Sequence, residues 1–418
     1  MNQPQKKPAV VFVEGTMIGA GEHCVRAAQD LGLVPIFVSS NPGIYPFLDH
    51  YACEIVELRS ADDLGILRAI EEVTSVKDLE VFGIGTTNDN MLMPVTDAAK
   101  ALGLEYPDPV AVENCKDKSA TRALLPAQSP KFTSVFHADD LVRCQPNFPG
   151  ETVVKPTSLN SGLGVRHCKD WTETVAHVEH LYDAGLVMRD TQRQQILVEE
   201  YVSGQEFSVE VFDGKALGVT QIEIDDSIGF VEVSHLHPSN EPQELHELLM
   251  ASAEEAVRAT GLTWGPAHIQ YRYNGESAKL VEINPRLGGG NVTQCVEYAR
   301  GIRLAHAYVR KICRLPGVED ELQSTKFLYS VVKFVLTRNG DPLRQVSGLN
   351  EALSSRSIVE VGTRARQGEE YAARGSNHDR LAFAISVAET PVSAIADATA
   401  AAEQISIETF ARREVVTS

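Results

Sequence analysis

The chain has 418 residues, of which 43% are apolar and 23% charged, and carries a formal net charge of −19. That length exceeds one hydrophobic core and suits about three domains, and the composition is that of a folded rather than a disordered chain. The acidic balance excludes nucleic acid and anionic membrane surfaces as partners, because there is no basic surplus to displace counterions from phosphates; positive charge for a phosphate ligand must be local.

The seven cysteines (Cys24, Cys53, Cys115, Cys144, Cys168, Cys295 and Cys313) are scattered and odd in number. No pair has C-x-x-C spacing, so neither a zinc site nor a disulfide framework is expected. Lys6 and Lys7 are followed by only a short apolar run, Val10 to Val13, before Glu14, too short for a signal peptide. Nothing later reaches the length of a membrane span, and the expected compartment is the cytoplasm.

Ala9–Val13 is a β-branched apolar run of the kind buried on both faces of a parallel sheet. A Gly-bearing turn and a helix over Glu22–Leu31 follow. Val34–Val38, Glu54–Leu58 and Val81–Ile84 repeat the strand pattern, with helices near Asp62–Val73 and Asn90–Leu102. The alternation predicts a small doubly wound parallel sheet whose rim includes Glu14-Gly15-Thr16 and Gly85-Thr86-Thr87-Asn88. Gly19-Ala20-Gly21 lacks the third glycine and the spacing of a dinucleotide fingerprint.

Tyr106-Pro107-Asp108-Pro109 marks a boundary. A helix is expected from Cys115 to Leu125, carrying Lys118. Thr152–Lys155 and Val165–His167 read as strands around a loop running from Ser158 to Gly164. The small residues of that loop, Ser158, Ser161, Gly162 and Gly164 among them, let backbone N–H groups approach phosphate oxygens, and Lys155 can neutralise their charge. It is not a P-loop, since no Gly-Lys-Ser/Thr and no helix follow. Leu197–Val202 is either a plain buried strand or an adenine slot whose backbone reads the base edge; Glu206, four residues on, can accept from a ribose hydroxyl. Further strands are expected at Glu206–Phe212 and Ala216–Glu223, a loop at Ser234-His235-Leu236-His237-Pro238, and a long amphipathic helix over Glu241–Thr260. His235 and His237 are candidate substrate contacts, with a purely structural or solvated role as the alternative.

The richest segment is a hairpin, Ala267–Tyr273 and Lys279–Arg286. Alternation puts Glu282 and Asn284 on one face, about 7 Å apart, where both can reach a hard cation such as magnesium. A five-residue loop at Asn274–Ala278 separates apolar from polar residues and sets Gln270 across from Glu282. Gly288, Gly289 and Gly290 after Arg286 suggest backbone amides held close to a ligand. Beyond about Thr325 come strands at Leu328–Leu336, Ile358–Val361 and Ala382–Val387 and an Ala-rich helix near Val392–Gln404.

Together, Val153-Val154-Lys155-Pro156, Val198-Glu199-Glu200-Tyr201-Val202-Ser203-Gly204 and Leu280-Val281-Glu282-Ile283-Asn284-Pro285-Arg286 resemble the ATP-grasp superfamily. The likeness is to its carboxylate–amine ligases, the L-amino acid (dipeptide) ligases among them. The resemblance implies a multidomain α/β and α+β protein: an N-terminal doubly wound α/β domain (1–112), a lid (113–200), an antiparallel metal-binding domain (201–324) and a small C-terminal domain (325–418).

It implies further that Lys118 and Lys155 bind phosphate and that the 158–164 loop covers it. Glu199, with the backbone of Glu200 and Val202, would hold adenine, and Glu206 the ribose. Glu282 and Asn284 would ligate magnesium (one ion or two, with manganese able to replace it). Arg286 would steady an acyl phosphate, and Lys155 and Arg286 would be the catalytic cations. The glycines 288–290, His235, His237 and Glu14 are the remaining substrate candidates. One departure stands out: the family has glutamate where this chain has Gln270, which weakens a second metal or leaves its place to another carboxylate. The implied partners are ATP, a small carboxylate and an amine, with a homodimer as the expected assembly. Biotin-carboxylase-like or purine-pathway ligation, and a non-catalytic ATP sensor, are the alternatives.

Overall fold

The computed structural model describes residues 6–410 apart from 137–139, 145–147, 158–161, 188–195, 226, 228, 338–340 and 372. Strands β1 (Lys7–Val13), β2 (Val34–Ser39), β3 (Glu54–Glu57) and β4 (Leu79–Gly85) form an all-parallel sheet in the order β3-β2-β1-β4. Val10, Val11, Val13, Ile36, Phe37 and Val38 lose all contact with solvent, as expected for strands covered on both faces. The loops after β1 and β4 therefore lie together at the carboxyl edge.

The helix expected over Cys115–Leu125 is two helices, Pro109–Lys116 and Lys118–Leu124. The break is chemical. Asp117 is extended, and its carboxylate caps the second helix by accepting from Ser119 N and Ala120 N, an arrangement an Asp favours over continuing a helix. Lys118 thus opens a helix.

Next, β5 (Phe132–Val135), β6 (Thr152–Pro156), β7 (Arg166–Cys168) and β8 (Ile196–Glu200) make a small antiparallel sheet ordered β5-β8-β6-β7. It packs under the helix Trp171–Asp183 through Val154, Val178, Leu181 and Val198.

The remaining long strands are β9 (Gln205–Phe212), β10 (Lys215–Asp225), β11 (Val231–His237), β12 (Pro266–Tyr273), β13 (Ala278–Asn284), β14 (Tyr329–Leu336), β16 (Ile358–Thr363) and β17 (Arg380–Ala388). They form one antiparallel sheet in the order β13-β12-β9-β10-β11-β14-β17-β16, which runs without interruption across residue 325. A separate ribbon pairs β15 (Leu343–Ser347) with β18 (Ser406–Thr409). The helix Gln243–Thr260 lays Leu245, Leu249, Ala253, Ala256 and Val257 on the sheet and stops at Gly261, which is left-handed. His235 and His237, read from sequence as loop residues, lie in β11. Their strand pairs on both sides, with β10 and β14.

The mixed α/β multidomain class is as expected. In the hairpin, Gln270 does oppose Glu282, but the connecting loop is a residue shorter than expected and a bulge follows. Tyr271 then pairs with Leu280, both in the core, and Val281 is released toward the neighbouring cleft. Among the described residues no helix is long and apolar enough to cross a membrane.

Gly204, where β8 turns into β9, has φ +108, and a Cβ there would lie 2.1 Å from Tyr273 O. Gly204→Ala is expected to cost about 1–3 kcal/mol or more and to lower the calorimetric melting temperature by several degrees. An unchanged midpoint would contradict this close backbone approach.

Candidate active site

Two clefts open between these layers. The smaller, about 150 Å³, lies between the lid sheet and the hairpin, with Val153, Val202, Ile224, Phe230, Leu280 and Val281 as its apolar walls. The larger, about 300 Å³, lies where the hairpin, the rim of the parallel sheet and the C-terminal strands meet. Lys118, Glu232, Gln270, Glu282 and Asn377 line both and form the junction.

At the back of the small cleft Glu199 is buried between two cations. Arg122 Nε donates to its Oε1 at 2.7 Å, and Lys155 Nζ lies 2.6 Å from Oε2. Burial works to raise the Glu199 carboxyl, but Lys155 and Arg122 outweigh it and hold the group below the usual range. Arg122 also donates to Val281 O at 2.7 Å, the carbonyl that the bulge turns this way. On the opposite wall Arg272 donates to Glu206 at 2.9 Å and to Val202 O at 3.3 Å. Glu200 and Gly162 line the cleft; Gly164 does not, and its carbonyl faces His177 Nε2. Ser158 and Ser161 lie outside the described residues. The arrangement is a slot with apolar walls and fixed charge at one end, suited to a planar base and its phosphates.

In the large cleft Arg286 makes a bidentate pair with Asp89, at 2.7 and 2.6 Å. Burial opposes ionisation of Asp89, yet Arg286 brings its carboxyl below the ordinary range. Glu282 accepts from Asn284 Nδ2 at 2.8 Å and faces Lys118 Nζ at 3.6 Å. Burial is again opposed, here by Lys118 and Asn284, and Glu282 stays below the usual range. Glu282, Asn284 and Gln270 offer one carboxylate and two amide oxygens from one hairpin, a hard oxygen set that fits one magnesium ion completed by phosphate oxygens and water. No cluster of three His, Cys, Asp or Glu residues arranged for a metal occurs among the described residues.

Beside Gln270 stands a carboxylate that sequence reasoning missed. Glu232 accepts from Gln270 Nε2 at 3.0 Å, lies 3.1 Å from His235 Nε2, and accepts from Arg380 Nη1 at 2.9 Å. His235 Nδ1 lies 2.8 Å from Gly290 O. Gly289 and Gly290 line the cleft, whereas Gly288 does not. A Cβ on Gly288 would come within 2.9 Å of His268 and 3.0 Å of Glu210, which pair at 2.6 Å, so packing accounts for that glycine.

Two sequence candidates turn away from the cleft. Glu14 is buried, and its carboxylate accepts from Ser39 Oγ, Ser40 N, Ser40 Oγ and Tyr45 Oη at 2.7–2.9 Å. Tyr45 Oη in turn accepts from Gly15 N, which ties the Glu14 carboxylate to the backbone of the rim. His237 is buried against Thr220 at 2.9 Å and lines neither cleft. Burial pushes its imidazole down to about 3.

Arg122, Asp89, Glu232, Arg364 and Arg380 were not singled out from sequence. Arg122 had a faint signal, one helical turn after Lys118, and Asp89 directly follows the quoted rim residue Asn88. The other three sit in strands and loops with no local motif.

Residues 148–294 match the ATP-grasp domain family, and residues 334–409 match the L-amino acid ligase C-terminal domain 2 family. An uncharacterized protein of Sinorhizobium fredii is 25% identical over 392 residues, covering 93% of this chain and 80% of that protein. The alanine–anticapsin ligase of Bacillus amyloliquefaciens is 25% identical over 267 residues, covering 58% of this chain and 57% of its own length. The crystal structure of an L-amino acid ligase from Bacillus licheniformis superposes with a TM-score of 0.79 at 19% identity, over 98% of this chain and all of that one, a likeness of fold.

Two outcomes follow from the buried charges. Arg122→Met leaves Glu199 with one partner and should cost on the order of 3 kcal/mol, read from urea unfolding. His237 has a folded pKa below its ordinary 6.5, so the stability it contributes is complete above that value and is lost as pH falls toward 3. In His237→Gln the slope of unfolding free energy between pH 4 and 6 should be shallower by about 1.4 kcal/mol per pH unit; an identical slope would mean that the histidine titrates normally.

Proposed function

We propose that the chain, whose residues 148–294 match the ATP-grasp domain and 334–409 the L-amino acid ligase C-terminal domain 2, is a carboxylate–amine ligase that joins an amino acid or other small carboxylic acid to the amine of an amino acid through an acyl phosphate. The observation that carries this reading is the junction. Lys118, Gln270 and Glu282 border both the smaller slot and the larger polar cleft, so a nucleotide in the first presents its terminal phosphate to a substrate in the second. The alanine–anticapsin ligase among the relatives points to the same reaction class.

In this reading adenine enters the slot against Val202 and the backbone after Glu200, with Glu206 at the ribose. Lys155 and Lys118 lie along the phosphates. The substrate carboxylate attacks the γ-phosphorus, the bond to the β-phosphate oxygen breaks, and ADP leaves. The amine then attacks the acyl carbon, loses a proton, and inorganic phosphate departs. The protein contributes position and charge: Arg286, fixed in orientation by Asp89, faces the acyl phosphate, and the Gly289–Gly290 backbone approaches it closely. Magnesium held by Glu282 and Asn284, with the Gln270 carbonyl, would neutralise charge on the transferring phosphoryl group. Glu232 supports Gln270 by accepting from its amide nitrogen, which leaves the amide oxygen for a ligand.

The test is release of ADP and phosphate with ATP and magnesium over a matrix of paired amino acids and small carboxylates, with products weighed by mass spectrometry. ADP with a condensed product is expected, and AMP would sink the acyl-phosphate route. Glu282→Ala should lower turnover at least 100-fold. Gln270→Glu, which adds a charged ligand, should lower the magnesium concentration for half-maximal rate several-fold; no change would place Gln270 outside the metal's reach.

A further inference from the structure

Three arginines line the large cleft, and only two have a carboxylate. Arg286 is taken by Asp89 and Arg380 by Glu232. Arg364, in the loop after β16, has no carboxylate within ion-pair distance among the described residues. Its head group is nonetheless held in place. Nε donates to Arg380 O at 2.8 Å, Nη2 donates to His378 O, Nη1 lies 3.8 Å from Met17 Sδ, and the guanidinium stacks over the Tyr371 ring with its carbon 5.2 Å from the centroid. Carbonyls and a ring orient the fork, while the carboxylates that act on it, Asp379 and Glu369, do so from beyond ion-pair distance.

A partly buried guanidinium that is fixed in orientation, without a direct ion pair among the described residues and open to a cleft is suited to a planar anion, which it can grip through two parallel N–H bonds. The reacting carboxylate belongs at the junction, where Lys118 and Glu282 stand. Arg364 lines only the large cleft, from its C-terminal wall. The group it holds is therefore one that is not phosphorylated.

We propose that Arg364 seats the free carboxylate of the amine-bearing substrate, making this C-terminal residue the determinant that restricts the acceptor to an amino acid with an unblocked carboxyl group. The proposal rests on the ligase reading of the same cleft. Arg286, already paired with Asp89, is left to the acyl phosphate.

The experiment uses the full chain, with Arg364→Met and Arg364→Lys variants checked for an unchanged circular dichroism spectrum. ADP release is measured with ATP, magnesium and L-alanine as carboxylate donor, and with each amino acid or its carboxamide as acceptor. For the wild type, the free amino acid should have a KM at least tenfold below that of its amide. Arg364→Met should raise the KM for the free acid at least tenfold while leaving kcat within about threefold and the amide unaffected, and Arg364→Lys should recover part of the loss. Equal effects on acid and amide, or none on either, would overturn the assignment. Should the wild type release no ADP with any pair, the ligase reading fails, and calorimetric titration of the same acids and amides into the protein with magnesium-ADP decides separately. Carboxylate-dependent heats that vanish in Arg364→Met uphold the seat. Heats that persist in the variant, or are missing in the wild type, overturn it.

Discussion

The pairing of β11 with β14 is the constraint on which the rest of the site depends. His235 faces Val332 and Leu236 faces Val331 across that ladder, which makes the hairpin strands and the C-terminal strands one continuous surface. An eight-stranded sheet bends and twists but does not slip, because a shift of one residue would turn every buried side chain outward. That rigidity is what brings Arg380, on β17, within 2.9 Å of Glu232 on β11, and Glu232 within reach of Gln270 on β12.

Charges in the two clefts are matched almost one for one. Glu199 has Arg122 and Lys155, Asp89 has Arg286, and Glu232 has Arg380. Pairs removed from water in this way add little to stability, since desolvation offsets most of their attraction. Their use lies in orientation, with each head group fixed before any ligand arrives. The loosest contact is Lys118 to Glu282 at 3.6 Å, at the junction of the clefts, where a cation and a phosphate can part the two groups at least cost.

Much of this was legible in the chain because it is written locally. The run Glu282-Ile283-Asn284-Pro285-Arg286 declares its face by alternation, the β-branched runs declare the parallel sheet, and polarity alone placed Gln270 opposite Glu282. What escaped is tertiary. Asp89 acquires meaning only through Arg286, nearly two hundred positions later, and Glu232 only through a strand order that periodicity does not reveal. Ser234–Pro238 read as a loop because Pro238 follows two histidines and a serine, residues that betray no burial; pairing on both sides of Val231–His237 supplies it. The bulge at Val281 was invisible for a related reason, since one extra residue leaves the apolar count of the hairpin unchanged. The burial of Glu14 and His237 was equally hidden, because polar residues at a strand end look exposed until hydroxyl partners from elsewhere in the chain are seen beside them.

The strand order also carries a timetable. Reading outward from β9 and β10, the sheet gains β11, then β12 and β13 on one flank, and only afterwards β14, β17 and β16 on the other. A ribosome delivers the strands in that order too, except that the edge strand β16 emerges before β17. By the time residue 290 has emerged, every wall of the smaller slot has been made except Asn377, while the polar cleft still lacks Phe334, Arg364, Asn377, His378 and Arg380. The slot proposed for the nucleotide is thus older, in the life of each molecule, than the cleft proposed for its substrates.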